Sequence, residues 1–345
     1  MDSHKLFLLQ KFTEDVKIPI DDFPYKKLIL TDEEMKTKFN NLTDYKPNLV
    51  NINYKVYNIS FLNRFLYKGK PTILEQKYSD YEDFNILSDY FQEFCRMKCQ
   101  RYDTDISPYN YWEKNKHLVK RFSNKKYKKT DPHSLRESLY EMTRECTSFR
   151  PTIMVSMIKM FNGKSILDFS AGWGDRLLGA LSCDDIIDFY CGVDPNTCVH
   201  PNYQKMIRFF NKDPEKYVMI NKPFQEAKIP DRSYNLIMTS PPYFTLEKYS
   251  EEDTQSIKTF KNLNDWLTNF LFFSLKKAWK VLAPGGHMVI SINDMRGNGF
   301  KYVEKMMKFI DNKLEKSEYL GVISYAEKKG KWHKSPQPLW IWEKN

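Results

Sequence analysis

Residues 165–176 read SILDFSAGWGDR, and the fold turns on this stretch. Ser165–Ser170 is a short apolar strand that breaks at Ala171-Gly172-Trp173-Gly174, and a helix begins near Gly174 and runs on as GDRLLGALS. Glycines in such a turn permit positive φ and let the backbone approach a ligand at a helix N-terminus. The dinucleotide fingerprint is not completed, because Leu177 stands where its third small residue belongs. Outward from the turn the pattern repeats. Upstream lies an apolar helix, Thr152–Phe161. Downstream, predicted strands at Asp188–Asp194, Tyr217–Asn221, Tyr234–Thr239 and His287–Asn293 alternate with predicted helices at Thr197–Phe210, Asn264–Leu282 and Tyr302–Lys313. That alternation implies an α/β protein with a doubly wound sheet and ligands at the carboxyl ends of its strands. Tyr319–Tyr325 and Leu339–Glu343 have no helix between them and predict an antiparallel C-terminal edge hairpin.

The chain before Phe149 has another texture, polar and rich in Tyr, Asn and Lys. Amphipathic helices are expected at Asn85–Arg101 and at Pro132–Glu145, the latter with Asp131 as its cap. This divides the chain into a mainly helical N-terminal region, 1–147, and an α/β region, 148–345, in keeping with roughly two domains for 345 residues. A composition 41% hydrophobic and 15% aromatic, with 12 Gly and 17 Pro, excludes collagenous and disordered classes. No apolar run reaches the roughly 20 residues of a membrane span. The start, MDSHKLFLLQKFTED, is too short in its apolar part for a secretion signal, so an intracellular protein is expected. Cys95, Cys99, Cys146, Cys183, Cys191 and Cys198 form no CxxC pair and have no His at zinc spacing. No metal site and no disulfide is expected of them, only buried free thiols.

Two further segments carry chemistry. Gly192-Val193-Asp194-Pro195-Asn196 ends the second strand about 20 residues after the glycine turn, where an acid can accept hydrogen bonds from ribose hydroxyls. The pair implies a nucleoside-bearing cofactor. Thr239-Ser240-Pro241-Pro242-Tyr243-Phe244 leaves an apolar strand with no intervening loop. Two prolines fix φ and lack N–H groups, so they make a rigid arm of carbonyl acceptors. Those carbonyls and the Ser240 hydroxyl can hold the hydrogens of an exocyclic amine, whose lone pair is otherwise delocalised into its ring. Tyr243 can stack on that ring and fix its attack geometry.

Together these segments resemble the class I S-adenosylmethionine-dependent amino-methyltransferases that modify adenine N6 or cytosine N4. LDFSAGWGDR is similar to the family's cofactor motif, Asp194 to its ribose-binding acid, and Ser240–Tyr243 to its (D/N/S)PPY catalytic motif. The resemblance covers about residues 148–345 and implies a Rossmann-like class I methyltransferase sheet, S-adenosyl-L-methionine as cofactor and no metal. It implies cofactor contacts from Asp168, Ser170, Gly172, Trp173, Gly174, Asp194, Pro195 and Glu226, with Asp168 near the methionine amine and Glu226 at the adenine end. The helix Thr152–Phe161, with Phe149-Arg150-Pro151 before it, is similar to the upstream segment that holds the methionine part. Ser170 departs from the family's usual turn residue. Serine at the head of the tetrad leans towards cytosine N4, though adenine N6 enzymes also use it. Phe244 opens a polar stretch, 244–262, expected to order over substrate, and Ser291–Asp294 with Arg296 are placed at the same mouth.

The formal net charge of +10 is shared equally on either side of Arg150, but Lys114–Lys129 concentrates seven Lys and one Arg without an acid. Two readings stand: a strip for a polyanion, with Phe122 and Tyr127 available for stacking, or a solvated face. On the first, Lys125, Lys126, Lys128 and Lys129 hold a nucleic-acid backbone, DNA favoured over RNA. The rivals are RNA base methylation, methylation of a protein glutamine amide, where the tetrad usually reads NPPY, and an idle partner subunit. Intact Gly172, Gly174, Asp194 and Tyr243 count against the last.

Overall fold

The computed structural model describes residues 22–26, 30–47, 49–51, 73–76, 84, 86–101, 105–294, 302–325 and 337–345. Arg296, Asn85 and the first fifteen residues lie outside them. The strands are β1 (Leu49–Asn51), β2 (Ile73–Gln76), β3 (Gln100–Arg101), β4 (Ser165–Asp168), β5 (Phe189–Asp194), β6 (Tyr217–Asn221), β7 (Tyr234–Thr239), β8 (Glu247–Lys248), β9 (Leu282–Ser291), β10 (Ser317–Tyr325) and β11 (Gln337–Lys344). One sheet runs in the order β1-β2-β10-β11-β9-β7-β4-β5-β6. Its centre, β9-β7-β4-β5-β6, is parallel throughout. The predicted C-terminal pair is antiparallel, with β11 inserted between β9 and β10. It is not the outermost part of the sheet, because β2 adds to β10 in parallel and β1 to β2. Pairing across such a sequence distance leaves no local pattern to read.

The helices used below are α1 (Asp32–Thr43), α2 (Ile86–Met97), α3 (Pro108–Tyr127), α4 (Pro132–Met142), α5 (Pro151–Phe161), α6 (Asp175–Ser182), α7 (His200–Phe209), α8 (263–281, with a π-helical turn at Trp266–Phe272) and α9 (Val303–Lys313). Parallel strands covered on both faces read as continuous apolar runs. β4 shows why: Ile166 joins the core under α5, α6 and α7, and Leu167 joins the one under α8 and α9. Gly179 lets α5 and α6 touch, since a Cβ there would lie 2.6 Å from Met154 Cβ. Pro284-Gly285-Gly286, between the helix predicted at Asn264–Leu282 and the strand predicted at His287–Asn293, falls inside β9 as an irregularity, with Gly285 at φ 71°.

The N-terminal helices are built into this fold. Met35, Phe39 and Leu42 of α1 and Leu87, Tyr90 and Cys95 of α2 share the α5–α7 core, and the Phe39 and Phe210 rings stack at 3.8 Å. Behind that core a buried ionic network ties α2 to α4. Arg96 makes paired bonds of 2.7 Å to Asp89 and another to Glu145, while Arg136 bonds Glu93 at 2.8 Å and also meets Glu145. The guanidinium groups hold Asp89 well below the usual carboxylate range and Glu145 at about 2, overcoming the burial that opposes both. Asp131 caps α4 as predicted, accepting from the Ser134 amide.

The cysteine expectation needs correction. Cys95 and Cys198 form a disulfide with Cα atoms 5.9 Å apart, joining α2 to the turn after β5. They stand 103 residues apart, so only the packing of α2 on α7 brings them together. Cys99, Cys146, Cys183 and Cys191 are buried free thiols.

Candidate active site

The carboxyl ends of β4, β5 and β7 meet at one cavity of about 390 Å3. Its first wall is the glycine turn. Gly172 and Gly174 take φ of 59° and 82°, which other residues adopt only with strain. The turn is pinned from both sides: the Gly172 amide donates to Asp194 Oδ2 at 2.8 Å, the Ala171 amide to the Val193 carbonyl at 3.0 Å, and the Tyr203 hydroxyl to the Gly172 carbonyl. Asp194 Oδ1 accepts from the Asn196 amide at 2.9 Å. Burial raises the Asp194 carboxyl to about 6 and lowers His200 to about 4, so a neutral His200 Nε2–H donates to the Asp194 carbonyl at 2.8 Å.

The second wall is the Pro223–Ala227 turn after β6. Lys277 of α8 donates to the carbonyls of Phe224, Gln225 and Ala227 and so fixes it, while Phe224 stacks on Phe169 at 5.0 Å. The third is the tetrad. Ser240 Oγ donates to the Ser291 carbonyl at 3.2 Å, which keeps its own lone pairs as acceptors. The Tyr243 ring meets Tyr302 edge-on at 6.2 Å, and Tyr302 in turn packs on Trp266 of the π-helical turn.

The roof is the stretch after the tetrad, residues 244–262. Tyr249 and residues 253–256 line the cavity, and Tyr249 meets the Trp173 ring at 5.9 Å. Three attachments hold it down. β8 pairs with β3, Cys99 donates to the Tyr249 carbonyl at 2.9 Å, and Glu252 accepts from the Thr197 amide and hydroxyl at 3.2 Å.

Of the residues named from sequence, Ser170, Gly172, Trp173, Asp194, Pro195, Glu226, Ser240, Pro241, Pro242 and Tyr243 line this one cavity, as does Ser291. Others do not. Asp168 is wholly buried behind the wall, where it accepts from Arg176 Nε at 2.7 Å and from the Tyr190 hydroxyl at 3.0 Å. Gly174 shapes the turn from behind, against Met206 and Tyr203. Phe244 is buried against Trp266, and Asp294 caps α9 through the Tyr302 and Val303 amides. Lys125, Lys126, Lys128 and Lys129 lie at the C-terminal end of α3, outside the cavity lining. Lys126 and Tyr127 are both bonded to Glu141.

Asp175, Glu247, Tyr249, Gln225 and Gln337 also line the cavity and were not identified from sequence. Asp175 sits inside the quoted motif, where an acid in the first turn of a helix reads as ordinary dipole pairing. Glu247 and Tyr249 lie in a stretch without periodicity.

The volume falls in the usual range for a small-molecule site, and its buried carboxylates with open acceptor positions suit a ligand bearing hydroxyls and an ammonium group. Residues 234–345, from β7 to the C-terminus, match a family described as DNA methylase. Comparison with curated proteins yields no match. Among solved structures the chain is similar to an rRNA methylase of Streptococcus thermophilus (9% identity, TM-score 0.39, covering 58% of this chain and 99% of that one). It is similar also to the N-methyltransferase NodS of Bradyrhizobium japonicum (10%, 0.39, 56% and 93%). A third is an S-adenosylmethionine-dependent methyltransferase of Clostridium acetobutylicum (12%, 0.38, 56% and 89%). The family match covers the tetrad-bearing part of the chain, and the glycine turn and its acid open on the same cavity as the tetrad.

Proposed function

We propose that this chain is a class I S-adenosylmethionine-dependent amino-methyltransferase that methylates an exocyclic amino nitrogen of a nucleic-acid base, adenine N6 or cytosine N4, with DNA as the favoured substrate. One observation carries the reading: Asp194 and the glycine turn share a single cavity with Ser240–Tyr243. The description of the matching family supports DNA over RNA. S-Adenosylmethionine, when bound, supplies a methyl group on a positively charged sulfur. In this reading Asp194 accepts from the ribose hydroxyls, Gly172 and Trp173 line the methionine side, and Glu226 lies at the adenine end. Ser240 Oγ and the Pro241 carbonyl accept the amine hydrogens, so that its lone pair localises towards the methyl carbon. Tyr243 stacks on the base, with Tyr302 setting the angle of its ring. The catalytic work is orientation and electrostatic placement. A base in a duplex has to be flipped out to reach this depth. The N-terminal region, residues 1–147, then supplies backbone contacts through Lys125, Lys126, Lys128 and Lys129.

The test is to incubate the protein with methyl-labelled cofactor, separate DNA, RNA and protein, and digest the labelled pool to nucleosides. Label in N6-methyladenine or N4-methylcytosine of DNA is the expected outcome. Label confined to protein would sink the reading, and label confined to RNA would move the substrate class. Tyr243→Ala is expected to cut turnover by about 100-fold with cofactor affinity kept, since a small misplacement of the reacting atoms costs that much.

A further inference from the structure

We propose that Asp175, and not Asp168, receives the α-ammonium group of the cofactor's methionine part; this rests on the cavity being the cofactor site. The acid at the end of β4 is already committed. Asp168 Oδ2 takes both Arg176 Nε and the Tyr190 hydroxyl, and Oδ1 takes the Ser170 amide at 3.3 Å. Arg176 also donates to the Ser170 carbonyl, the other acceptor at that point of the turn. The pair is buried on both sides, with Asp168 at 0% and Arg176 at 3% exposure. Drawing Asp168 away to a ligand would strand a buried guanidinium, at a cost that a salt bridge in the open does not carry.

Asp175 is in the opposite condition. It lines the cavity and is 2% exposed, yet no Lys, Arg or His among the described residues forms an ion pair with it. Ser88 Oγ donates to Oδ1 at 2.6 Å and the Phe149 amide to Oδ2 at 3.2 Å. An ionised carboxylate has about four acceptor positions, so each oxygen keeps room for another donor. The bond to Phe149 ties Asp175 to the segment just before α5. Burial raises this carboxyl to about 6, against the pull of Ser88, Arg176 and Arg96. An ammonium ion set against its open acceptor positions supplies a full positive charge there. The other deep carboxylate, Glu247, is engaged to the same degree, by the Tyr249 hydroxyl at 2.5 Å and the Thr147 amide at 3.4 Å, and is the rival that the test has to separate from Asp175. Ser88 belongs to α2, so a residue of the N-terminal helices sets the geometry of this contact.

Calorimetry of three ligands tests it: S-adenosylhomocysteine, its desamino analogue, and 5′-methylthioadenosine, which lacks the amino-acid part. Asp175→Asn is expected to weaken S-adenosylhomocysteine by about tenfold or more, as loss of one member of a buried charge pair does. Methylthioadenosine should change by less than about twofold, and the desamino analogue should bind wild type and variant alike. Equal loss for all three ligands would mean a structural role and overturn the proposal. So would an unchanged affinity for S-adenosylhomocysteine, or the same selective loss in Glu247→Gln. If the wild type binds none of the three, the cofactor reading of the cavity fails as well. Should the asparagine variant not fold, the wild type still decides. Near pH 6, S-adenosylhomocysteine must release more protons on binding than methylthioadenosine, because only the former ionises Asp175. Equal release overturns the assignment.

Discussion

Charged side chains are arranged in opposite ways behind the cavity wall and on the outer face of α3. Behind the wall, Asp89, Arg96, Arg136, Glu93 and Glu145 are at least nine-tenths buried, and Asp168 with Arg176 likewise, each with bonds that fix its position. On α3, Lys116 and Lys120 meet Asp22 at 3.3 and 3.9 Å and Lys126 meets Glu141, all with about half of the Lys side chain in solvent. Lys114, Arg121, Lys125, Lys128 and Lys129 are exposed, without an ion pair among the described residues. The first arrangement positions a site and is insensitive to salt. The second is screened within about 10 Å at ordinary ionic strength and suits a mobile polyanion. The same amino-acid types therefore form scaffold in one place and an exposed, solvated face in the other, and burial alone tells them apart.

The largest break in this comparison is expected at Arg96. Arg96→Met leaves Asp89 with only Lys26 and Glu145 with only Arg136, and removal of one partner from such a buried network costs about 3–5 kcal/mol. Chemical denaturation should show this as a lowered midpoint. A loss below about 1 kcal/mol, the range of exposed pairs, would mean that the network is no more than surface electrostatics.

A smaller effect sharpens the same contrast through pH. Asp175 is raised to about 6 in the fold, from an ordinary value near 3.8, mainly by burial. Asp89 raises it further, and Ser88, Arg176 and Arg96 pull the other way. A carboxyl raised on folding binds a proton more tightly in the native state, so its contribution is whole below pH 4 and is lost as pH climbs through 6. Asparagine does not titrate. The stability of Asp175→Asn relative to wild type, both ligand-free, should therefore improve by about 2–3 kcal/mol between pH 4 and pH 7. A flat difference would mean that the carboxyl is solvated as an exposed acid is.

What could be read from the sequence follows the range over which each constraint acts. β4, β6 and β7 begin where the apolar runs predict, and the glycine turn, Asp194 and Ser240–Tyr243 come together, because each depends on neighbours within a few residues. Three features depend on distant partners and were not legible. β1 and β2 extend the sheet from the far end of the chain, Cys95 reaches Cys198 only after α2 has docked, and Asp168 is occupied only because Arg176 folds back over the turn. The basic run was legible as charge but not as a helix, since its apolar positions are too few to show the 3.6-residue period; Val119 is buried while Leu118 is exposed.

The smallest effect belongs to the exposed surface and tests whether it contacts substrate at all. Each phosphate neutralised by a Lys contributes roughly 0.9 to the slope of log K against log salt on duplex DNA. Lys126 is already engaged by Glu141, so replacing Lys125, Lys126, Lys128 and Lys129 by Gln removes about three effective contacts and should flatten the slope by roughly 3. Replacing Lys116 and Lys120, which share Asp22, should flatten it by less than half as much. Folding stability should barely move in either case, because exposed pairs are worth under about 1 kcal/mol. An unchanged slope in the fourfold variant would make this face of α3 a solvated surface, and recognition would have to come from groups nearer the cavity mouth.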